Sequence, residues 1–330
     1  MKRNAKMLSR AALSVAAVAL LALGSTGSAH AEKYPSKTIQ LIVPWSAGGG
    51  SDTAMRLVAE AAGKRMGVSV IVVNKPGAGG ALGTRAMATA KPDGYTIGMV
   101  GSGVISRQYL NPAANVISDL QPVVFFGSEP SALSARADTG FKTVADFVRA
   151  AKAKPGAIKN GNDTPGGVSY IAIAIIEKTT GVKVTRVPYK GFAPTVAAML
   201  AGEVQTSTVN IPDVIEHHKS GKLRILGVAG QTRHFLAPGV PTFKEQGVDV
   251  VFGIWRMLVA PKGMPADRLK FLESKLLETL NSKDFQARAR KAGFNVTPMG
   301  TSDAQARMIA DDKALYPVLL GAGLVKTRKK

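Results

Sequence analysis

The sequence has 330 residues, of which 43 are Lys or Arg and 22 are Asp or Glu, so its formal net charge is +21. It contains no cysteine, which excludes disulfides, a thiol nucleophile and thiolate metal sites. It has four histidines, and the adjacent pair His217 and His218 lacks the spacing of two metal ligands on one helix face. We therefore expect no metal site.

The positive charge raises the question of a nucleic-acid partner. The cations are dispersed, however, and only the tail from Lys326 to Lys330 forms a cluster. Aromatic residues make up 6% of the chain and leave no stacking platform among the cations. We predict no nucleic-acid partner, and we interpret the charge as promoting solubility and attracting anionic solutes or the cell envelope.

The N-terminus resembles an export signal. Lys2, Arg3, Lys6 and Arg10 precede a short apolar stretch, and Ala29-His30-Ala31 is a small-x-small cleavage pattern. The apolar stretch is too short for a stable bilayer anchor, the alternative interpretation. The sequence therefore predicts a secretory signal peptide cleaved after about Ala31 and an exported protein. About 300 residues remain, which is large for one core and ample for two domains.

Apolar strand-like runs alternate with helical segments through the first part of the chain. In chain order they are the strand "TIQLIVPW", a helix from about Thr53 to Arg65, the strand "VSVIVVN", a helix from about Ala81 to Ala90, the strand "YTIGMVGSG", and "PVVFFGSEPSALSA", which is one strand or two. Nearly all-apolar strands separated by helices favour an α/β fold with a mostly parallel sheet.

A second region of the same kind follows. It includes the helix "TVADFVRAAKAKPG", which Thr143 is suited to cap, and ends with a returning strand near "VFGIWRMLVAP" and a long amphipathic helix. We expect a signal peptide at 1–31, the first part of lobe 1 at 32–133, lobe 2 at 134–253, and a return to lobe 1 over 254–330. A cleft between two such lobes is where α/β folds usually bind small ligands.

A glycine-rich loop, "SAGGGSD", leads from the first strand into the first helix. It lacks the Gly-Lys-Ser/Thr ending of a phosphate-binding P-loop. We expect Ser51 or Asp52 to be the N-cap, with the N–H groups of Ala47 to Ser51 facing outward at the positive end of the helix dipole. A carboxylate or phosphate fits there, and a plain tight turn is the alternative.

The loop "NKPGAGGALG" is the second of this kind. Gly77, Gly79 and Gly83 nearly match the dinucleotide fingerprint, but Leu82 stands at the position of its third glycine, and no acidic residue follows at the expected distance. We therefore predict an anion-facing loop with no nicotinamide cofactor, and the sequence indicates no other cofactor.

Features of an enzyme are scarce. The chain has no Gly-x-Ser-x-Gly, and its carboxylate pair Asp311-Asp312 is expected on a solvated helix face. We predict that the protein is not an enzyme. An exported carboxylate-processing enzyme and an extracytoplasmic sensor for a two-component system stay as alternatives.

Eight segments, taken in order, resemble the signatures of one family. They are "YPSKTIQLIVPWSAGGGSD", "VVNKPGAGGALG", "KPDGYTIG", "FKTVADFVRAAKAKPG", "RVPYKGFAPTVAAMLAGEV", "GKLRILGVAG", "PGVPTFKEQG" and "IWRMLVAPKGMP". The family is that of the substrate-binding proteins of tripartite tricarboxylate transporters, the Bug family. The resemblance implies a two-lobed, Venus-flytrap-like periplasmic receptor, acting as a monomer, that presents a small carboxylate to a membrane permease.

The resemblance also implies a set of ligand-binding residues. In this family two loops of the first lobe hold a ligand carboxylate largely through backbone N–H groups and ordered water. The corresponding first-lobe residues are Ser46, Ala47, Gly48, Gly49, Gly77, Ala78, Gly79 and Gly80, with Asp52 closing the first loop and Ser102 beside them. The second-lobe residues are Thr164, Gly166, Gly167, Tyr170, Tyr189, Lys190, Asn210 and Asp213.

Several points stay open at this stage. The family commonly has Phe where Trp45 stands and His where Tyr170 stands, and both differences bear on which acid is bound. Lys190 either supplies a positive charge or faces solvent, and Asp213 either selects a ligand amine or caps a helix. The sequence does not identify the carboxylate.

Overall fold

The computed structural model describes residues 34–321 and 323–328. The predicted signal peptide at 1–31 and its cleavage site lie outside these residues. Within them, no helix has both the length and the apolar character needed to cross a membrane. Residues from Lys37 onward form one compact unit, which contains all the strands and helices of the described chain.

Ten strands and ten α-helices form in this described part of the chain. The strands are β1 Ile39–Val43, β2 Val70–Asn74, β3 Thr96–Gly101, β4 Leu120–Pro130, β5 Ala132–Arg136, β6 Lys159–Asn162, β7 Thr185–Pro188, β8 Thr206–Ser207, β9 Leu223–Val228 and β10 Gly253–Pro261. The helices are α1 Gly50–Met66, α2 Ala81–Ala88, α3 Gly103–Leu110, α4 Val144–Ala153, α5 Val168–Thr180, α6 Phe192–Ala201, α7 Ile211–Lys219, α8 Ala266–Leu280, α9 Lys283–Lys291 and α10 Thr301–Gly321.

The strands form two five-stranded sheets of matching topology. The first sheet has the order β2-β1-β3-β10-β4, and the second has the order β7-β6-β8-β5-β9. In each sheet one strand, β10 or β5, runs antiparallel to both of its neighbours, and the other strands share one direction. The prediction of a two-lobed α/β fold with a mostly parallel sheet in each lobe is therefore confirmed.

The reversed strand of each sheet is the one by which the chain enters from the other sheet. Strand β4 ends at Pro130 in the first sheet, and β5 begins at Ala132 in the second. The chain returns between Val228, the end of β9, and Gly253, the start of β10. β4 runs in the same direction as β1, β2 and β3, and β9 runs in the same direction as β6, β7 and β8. The carboxyl ends of β1, β2 and β3 therefore point toward the second lobe, and those of β6, β7 and β8 point toward the first. The loops after these strands therefore face each other, which is where open α/β sheets bind ligands.

Helix α10 packs on the first sheet. Its Met308, Leu315 and Leu319 join a buried cluster with Phe125 of β4 and Trp255 of β10. Full burial of an apolar side chain of this size contributes roughly 1.5–3 kcal/mol. The C-terminal helix is therefore part of the first-lobe core.

The carboxylate pair in α10 was expected on a solvated helix face; this expectation is wrong for Asp312, whereas the Asp311 side chain is 28% exposed. Asp312 is 8% exposed, and its Oδ1 accepts hydrogen bonds from Gln108 Nε2 at 2.6 Å and the Tyr109 hydroxyl at 2.7 Å. Asp311 accepts a hydrogen bond from the indole N–H of Trp255 at 2.6 Å. Asp312 is buried because it meets polar donors of α3 that are remote in sequence.

The cap predicted for α4 is confirmed. Thr143 is the N-cap, and its hydroxyl accepts a hydrogen bond from the Asp146 N–H at 3.1 Å. The Asp146 carboxylate in turn accepts one from the Thr143 N–H at 3.0 Å, which completes a capping box.

Candidate functional site

Asp52 determines the shape of the first glycine loop. Helix α1 begins at Gly50 with Gly49 as its N-cap, so the predicted N-cap at Ser51 or Asp52 is wrong. The reason is that Asp52, the third residue of the helix, turns back and accepts a hydrogen bond from the Gly48 N–H at 2.9 Å. The N–H groups of Gly50 and Ser51 have no acceptor among the described residues. The helix start therefore still presents donors, at its positive end.

The Asp52 carboxylate also accepts hydrogen bonds from Arg56 Nε at 2.9 Å and from Asn74 Nδ2 at 3.0 Å. Burial acts to raise the pKa of this carboxyl. The hydrogen bonds from Arg56, Gly48 and Asn74, together with the charge of Arg56, outweigh burial, and the pKa of Asp52 lies below its usual range. As expected from the sequence, Asp52 closes the loop.

The second glycine loop has an unusual backbone. Gly77, Ala78, Gly79 and Gly80 all have positive φ, with values of 134°, 48°, 64° and 95°. The N–H of Gly80 donates to the Gly77 carbonyl at 2.9 Å, whereas those of Gly77, Ala78 and Gly79 have no acceptor in the described part of the chain. A Cβ on Gly80 would lie 3.1 Å from the Trp45 ring, so the loop and the indole are in close contact. The loop holds three adjacent donors in place.

In the second lobe, a side chain of the protein occupies the start of α5. The Asp163 carboxylate accepts hydrogen bonds from the Ser169 hydroxyl at 2.9 Å and the Tyr170 N–H at 3.1 Å. Burial raises the pKa of Asp163 to about 6, although these hydrogen bonds act to lower it. The Gly167 N–H donates to the Thr164 carbonyl at 2.8 Å. The amide of Gly167 is therefore not available to an anion, even though the sequence repeats the pattern of the first loop.

Arg107 of α3 is a residue that the sequence analysis missed. Its guanidinium lies over the Trp45 ring, 5.4 Å from the ring centroid, and its Nη2 is buried with no acceptor among the described residues. Burial lowers the pKa of Arg107 to about 10, and the nearby charge of Asp163 acts in the opposite direction. A buried arginine nitrogen without an acceptor is costly, and it is a functional-site signal for that reason.

Arg107 lies where the two lobes meet. A Cβ on Gly79 would lie 3.9 Å from Arg107 Cδ and 3.7 Å from the Thr164 hydroxyl oxygen. We call Arg107, Trp45, Gly79 and Thr164 the Arg107 cluster. The Ser106 hydroxyl, next to Arg107, donates a hydrogen bond to the Gly166 carbonyl of the second lobe. Predicted residues of both lobes, Gly79, Thr164 and Gly166, are thus brought together.

A second group of polar residues surrounds a cavity of about 190 Å³ between the lobes. We call it the Arg256 cavity. It is lined by Gly50, Thr53, Glu129, Asn210, Pro212, Asp213, Arg256, Ala292 and Phe294. Asn210 and Asp213 were predicted from the sequence, and Arg256 was missed because it lies within an apolar strand, β10.

Arg256 is 5% exposed, and its guanidinium lies over the Phe294 ring, 5.3 Å from the centroid. Its Nε is 3.4 Å from the Ser51 hydroxyl oxygen. Burial lowers the pKa of Arg256, while the charges of Glu129 and Asp213 act to raise it. Burial likewise raises the pKa of Asp213 to about 6, with Arg256 opposing and Glu129 adding to the shift. The cavity therefore holds buried charges of both signs.

The other predicted residues contact the protein or face solvent. The Ser102 N–H donates to the Trp255 carbonyl at 3.2 Å. The Tyr170 ring lies under the Arg186 guanidinium, 4.9 Å from it, and the Tyr189 hydroxyl donates to Glu203 at 3.0 Å. Lys190 is exposed, as are Ser46, Ala47, Gly48 and Gly49. Tyr170, Tyr189 and Lys190 do not line the Arg256 cavity.

Comparison with known proteins identifies the family. The model of the tripartite tricarboxylate transporter family receptor, TctC, matches residues 54–320. The chain belongs to this family. BugT of Bordetella pertussis is 31% identical to this TctC-family chain over 306 residues, which are 91% of the chain and 93% of BugT. The resemblance drawn from the eight sequence segments is therefore confirmed.

Solved structures agree with this assignment. The periplasmic binding protein BugD is 28% identical and covers 89% of this TctC-family chain and 100% of its own, with a TM-score of 0.80. R. palustris Rpa4515 with adipate is 26% identical over 88% and 98% of the two chains, with a TM-score of 0.81. MatC from Rhodopseudomonas palustris with bound malate is 25% identical over 89% and 100%, with a TM-score of 0.74. The fold is therefore that of periplasmic binding proteins, and two of these relatives hold small carboxylates.

Proposed function

We propose that this TctC-family protein is a monomeric periplasmic receptor. In this proposal it captures a small organic carboxylate between its lobes and delivers it to the membrane permease subunits of a tripartite tricarboxylate transporter. The observation that carries the proposal is the Arg107 guanidinium, with its buried Nη2 beside the unpaired donors of the second glycine loop. The adipate and malate bound by Rpa4515 and MatC support the ligand class.

A ligand carboxylate at the Arg107 cluster would satisfy several groups at once. It would give Arg107 a counter-charge and give the N–H groups of Gly77, Ala78 and Gly79 an acceptor. Charge-assisted hydrogen bonds of this kind contribute roughly 1.5–3 kcal/mol each. Because Thr164 belongs to the other lobe, a ligand held there prefers the state in which the lobes are together. That differential affinity is what drives closure in a two-lobed receptor.

Titration calorimetry on the mature protein tests the binding step. The panel is adipate, malate, succinate, citrate and nicotinate, with Arg107→Gln as the test variant and Arg149→Gln, an exposed arginine of α4, as its matched control. We expect at least one acid to bind the wild-type protein, about tenfold or more weaker binding by Arg107→Gln, and unchanged binding by Arg149→Gln. Failure of all five acids, or wild-type affinity in Arg107→Gln, contradicts the proposal.

Delivery and export have separate tests. Uptake of the labelled acid by cells should require both this protein and the permease subunits, and it should fall to background when either is deleted. Mass spectrometry of the protein from a periplasmic extract should find an N-terminus at about Glu32. Uptake that persists without the protein would contradict the transport role. Conversion of the acid by the purified protein would indicate an enzyme instead.

A further inference from the structure

The Arg256 cavity contains charges of both signs that do not pair directly. No carboxylate oxygen of the described chain lies within 4.0 Å of an Arg256 guanidinium nitrogen. Glu129 and Asp213 are nevertheless close enough for their charges to act on Arg256. Buried charges are normally paired, so the space between these groups is suited to a guest that carries charges of its own.

The acceptors of the cavity are not equivalent. Both Glu129 oxygens are engaged: one accepts a hydrogen bond from the Asn295 N–H at 2.6 Å, and the other lies 3.0 Å from His234 Nε2. Asn210 is 2% exposed, and its Oδ1 is buried without a donor among the residues that the structure describes. Asp213 lies at the same helix start and lines the same cavity. Asn210 and Asp213 are therefore the acceptors that remain for a guest.

The donors come from the first lobe. Arg256 is only 5% exposed. It lies beside the start of α1, where a Cβ on Gly50 would be 3.5 Å from Arg256 Nη2. The unpaired Gly50 N–H adds the positive end of the helix dipole to the same wall. One wall of the cavity is thus suited to a carboxylate, and the other is suited to a positively charged donor.

We propose that the Arg256 cavity binds the head group of an α-amino acid. The carboxylate of the head group would lie at Arg256 and Gly50, and its ammonium group at Asp213 and Asn210. The inference rests on the proposed function, because it treats the cavity as part of the cleft that holds the transported acid. An acid without the amino group would leave Asp213 and Asn210 without a donor. The cavity should therefore discriminate between an amino acid and its deamino analogue, as buried polar groups do against a ligand that lacks their partner.

Paired ligands test this selectivity. Titration calorimetry compares L-aspartate with succinate, L-glutamate with glutarate, and L-alanine with propionate. We expect the amino member of at least one pair to bind the wild-type protein about tenfold or more tighter than its analogue. Asp213→Asn should abolish that preference and leave the affinity for the analogue within about threefold of wild type. Arg256→Gln should weaken both members of the pair.

Glu216→Gln is the matched control, because Glu216 is an exposed carboxylate on the same helix, α7. It should change neither affinity, and the melting temperature without ligand checks that each variant folds. If the wild-type protein binds both members of every pair with equal affinity, the inference is overturned. This outcome does not depend on whether the variants fold. A preference that survives in Asp213→Asn also overturns it. If deamino acids bind without any preference for the amino members, the proposed function stands and this inference fails. If none of these six ligands binds, this inference fails, and the proposed function fails with it only if the five acids of its own panel do not bind either.

Discussion

The Asp52 carboxylate accepts a hydrogen bond from the side-chain amide of Asn74 at 3.0 Å, which bonds the first glycine loop to the strand end that precedes the second. Asn74 Nδ2 also donates to the Trp45 carbonyl at 3.0 Å, and its Oδ1 accepts from Arg56 at 3.1 Å. Side chains of α1 and β2 therefore hold the two loops in one arrangement, so the donors of both loops keep fixed relative positions.

Replacing Asp52 should separate the loops. Asp52→Ala removes three hydrogen bonds from a buried carboxylate, and we expect the free energy of unfolding to fall by about 2–3 kcal/mol. Arg56→Ala is the control: the Arg56 side chain is 54% exposed, so the loss should stay below about 1 kcal/mol. Urea unfolding at pH 7 measures both. Equal losses in the two variants would show that the Gly48 and Asn74 contacts contribute little.

Gly80 lies against the indole of Trp45, and this contact can be separated from backbone strain. Gly80→Ala adds strain at φ 95° and also places a Cβ 3.1 Å from the ring. Gly48→Ala adds strain at φ 83° with no heavy atom within 4 Å of the new Cβ. We expect Gly48→Ala to lose about 1–2 kcal/mol of unfolding free energy and Gly80→Ala about 1–3 kcal/mol more, because overpacking adds to the strain. Thermal unfolding of both variants decides this, and similar losses would contradict the close contact with Trp45.

The fold follows from local sequence patterns, whereas the site depends on long-range contacts. Continuous apolar runs such as Leu41–Val43, which is fully buried, predict strands covered on both faces, and their alternation with helices predicts the mostly parallel sheets. Arg107 and Arg256, by contrast, are single charged residues within otherwise largely apolar segments. Their sequence context does not show which groups they contact in the folded chain. Only their neighbours in space bury them.

The availability of backbone donors is not predictable from the glycine loops alone. The first loop loses its Gly48 donor to Asp52, which is held by Asn74 at a separation of 22 residues. The α5 start carries a similar glycine pattern, but Asp163 occupies it. Two similar sequence patterns thus give different sites, because Asp163 precedes its helix and accepts the Tyr170 N–H of the helix start, whereas Asp52 lies within its helix and accepts only the Gly48 N–H of the loop.

Asp312 is the polar contact through which α10 joins α3. Asp312→Ala leaves the buried donors Gln108 Nε2 and the Tyr109 hydroxyl without their carboxylate acceptor. We expect the free energy of unfolding to fall by about 2–4 kcal/mol, since the buried donors lose a charged acceptor while the cost of removing them from water remains. Lys313→Ala, at the exposed neighbouring position, should change it by less than about 0.5 kcal/mol. Guanidinium unfolding compares them, and a small effect of Asp312→Ala would mean that water replaces the carboxylate.

Asp163 should make stability fall as pH rises through its folded-state pKa. Burial raises that pKa from 3.8 to about 6, so the folded protein binds more protons than the unfolded chain between about pH 4 and 6. The contribution of Asp163 to the free energy of unfolding is therefore fully present below 3.8, the pKa of the carboxyl in the unfolded chain, and is lost above about pH 6. Asp213 shifts in the same direction, with a pKa of about 6, so Asp163→Asn should remove roughly half of the decline. Urea unfolding at pH 4, 5, 6 and 7 measures how the free energy of unfolding declines with pH. Asp249→Asn, at an exposed position, is the control and should show the same decline as the wild-type protein. If the free energy of unfolding declines equally with pH in Asp163→Asn and in the wild-type protein, solvent reaches the Asp163 carboxyl and it ionises at its usual pH.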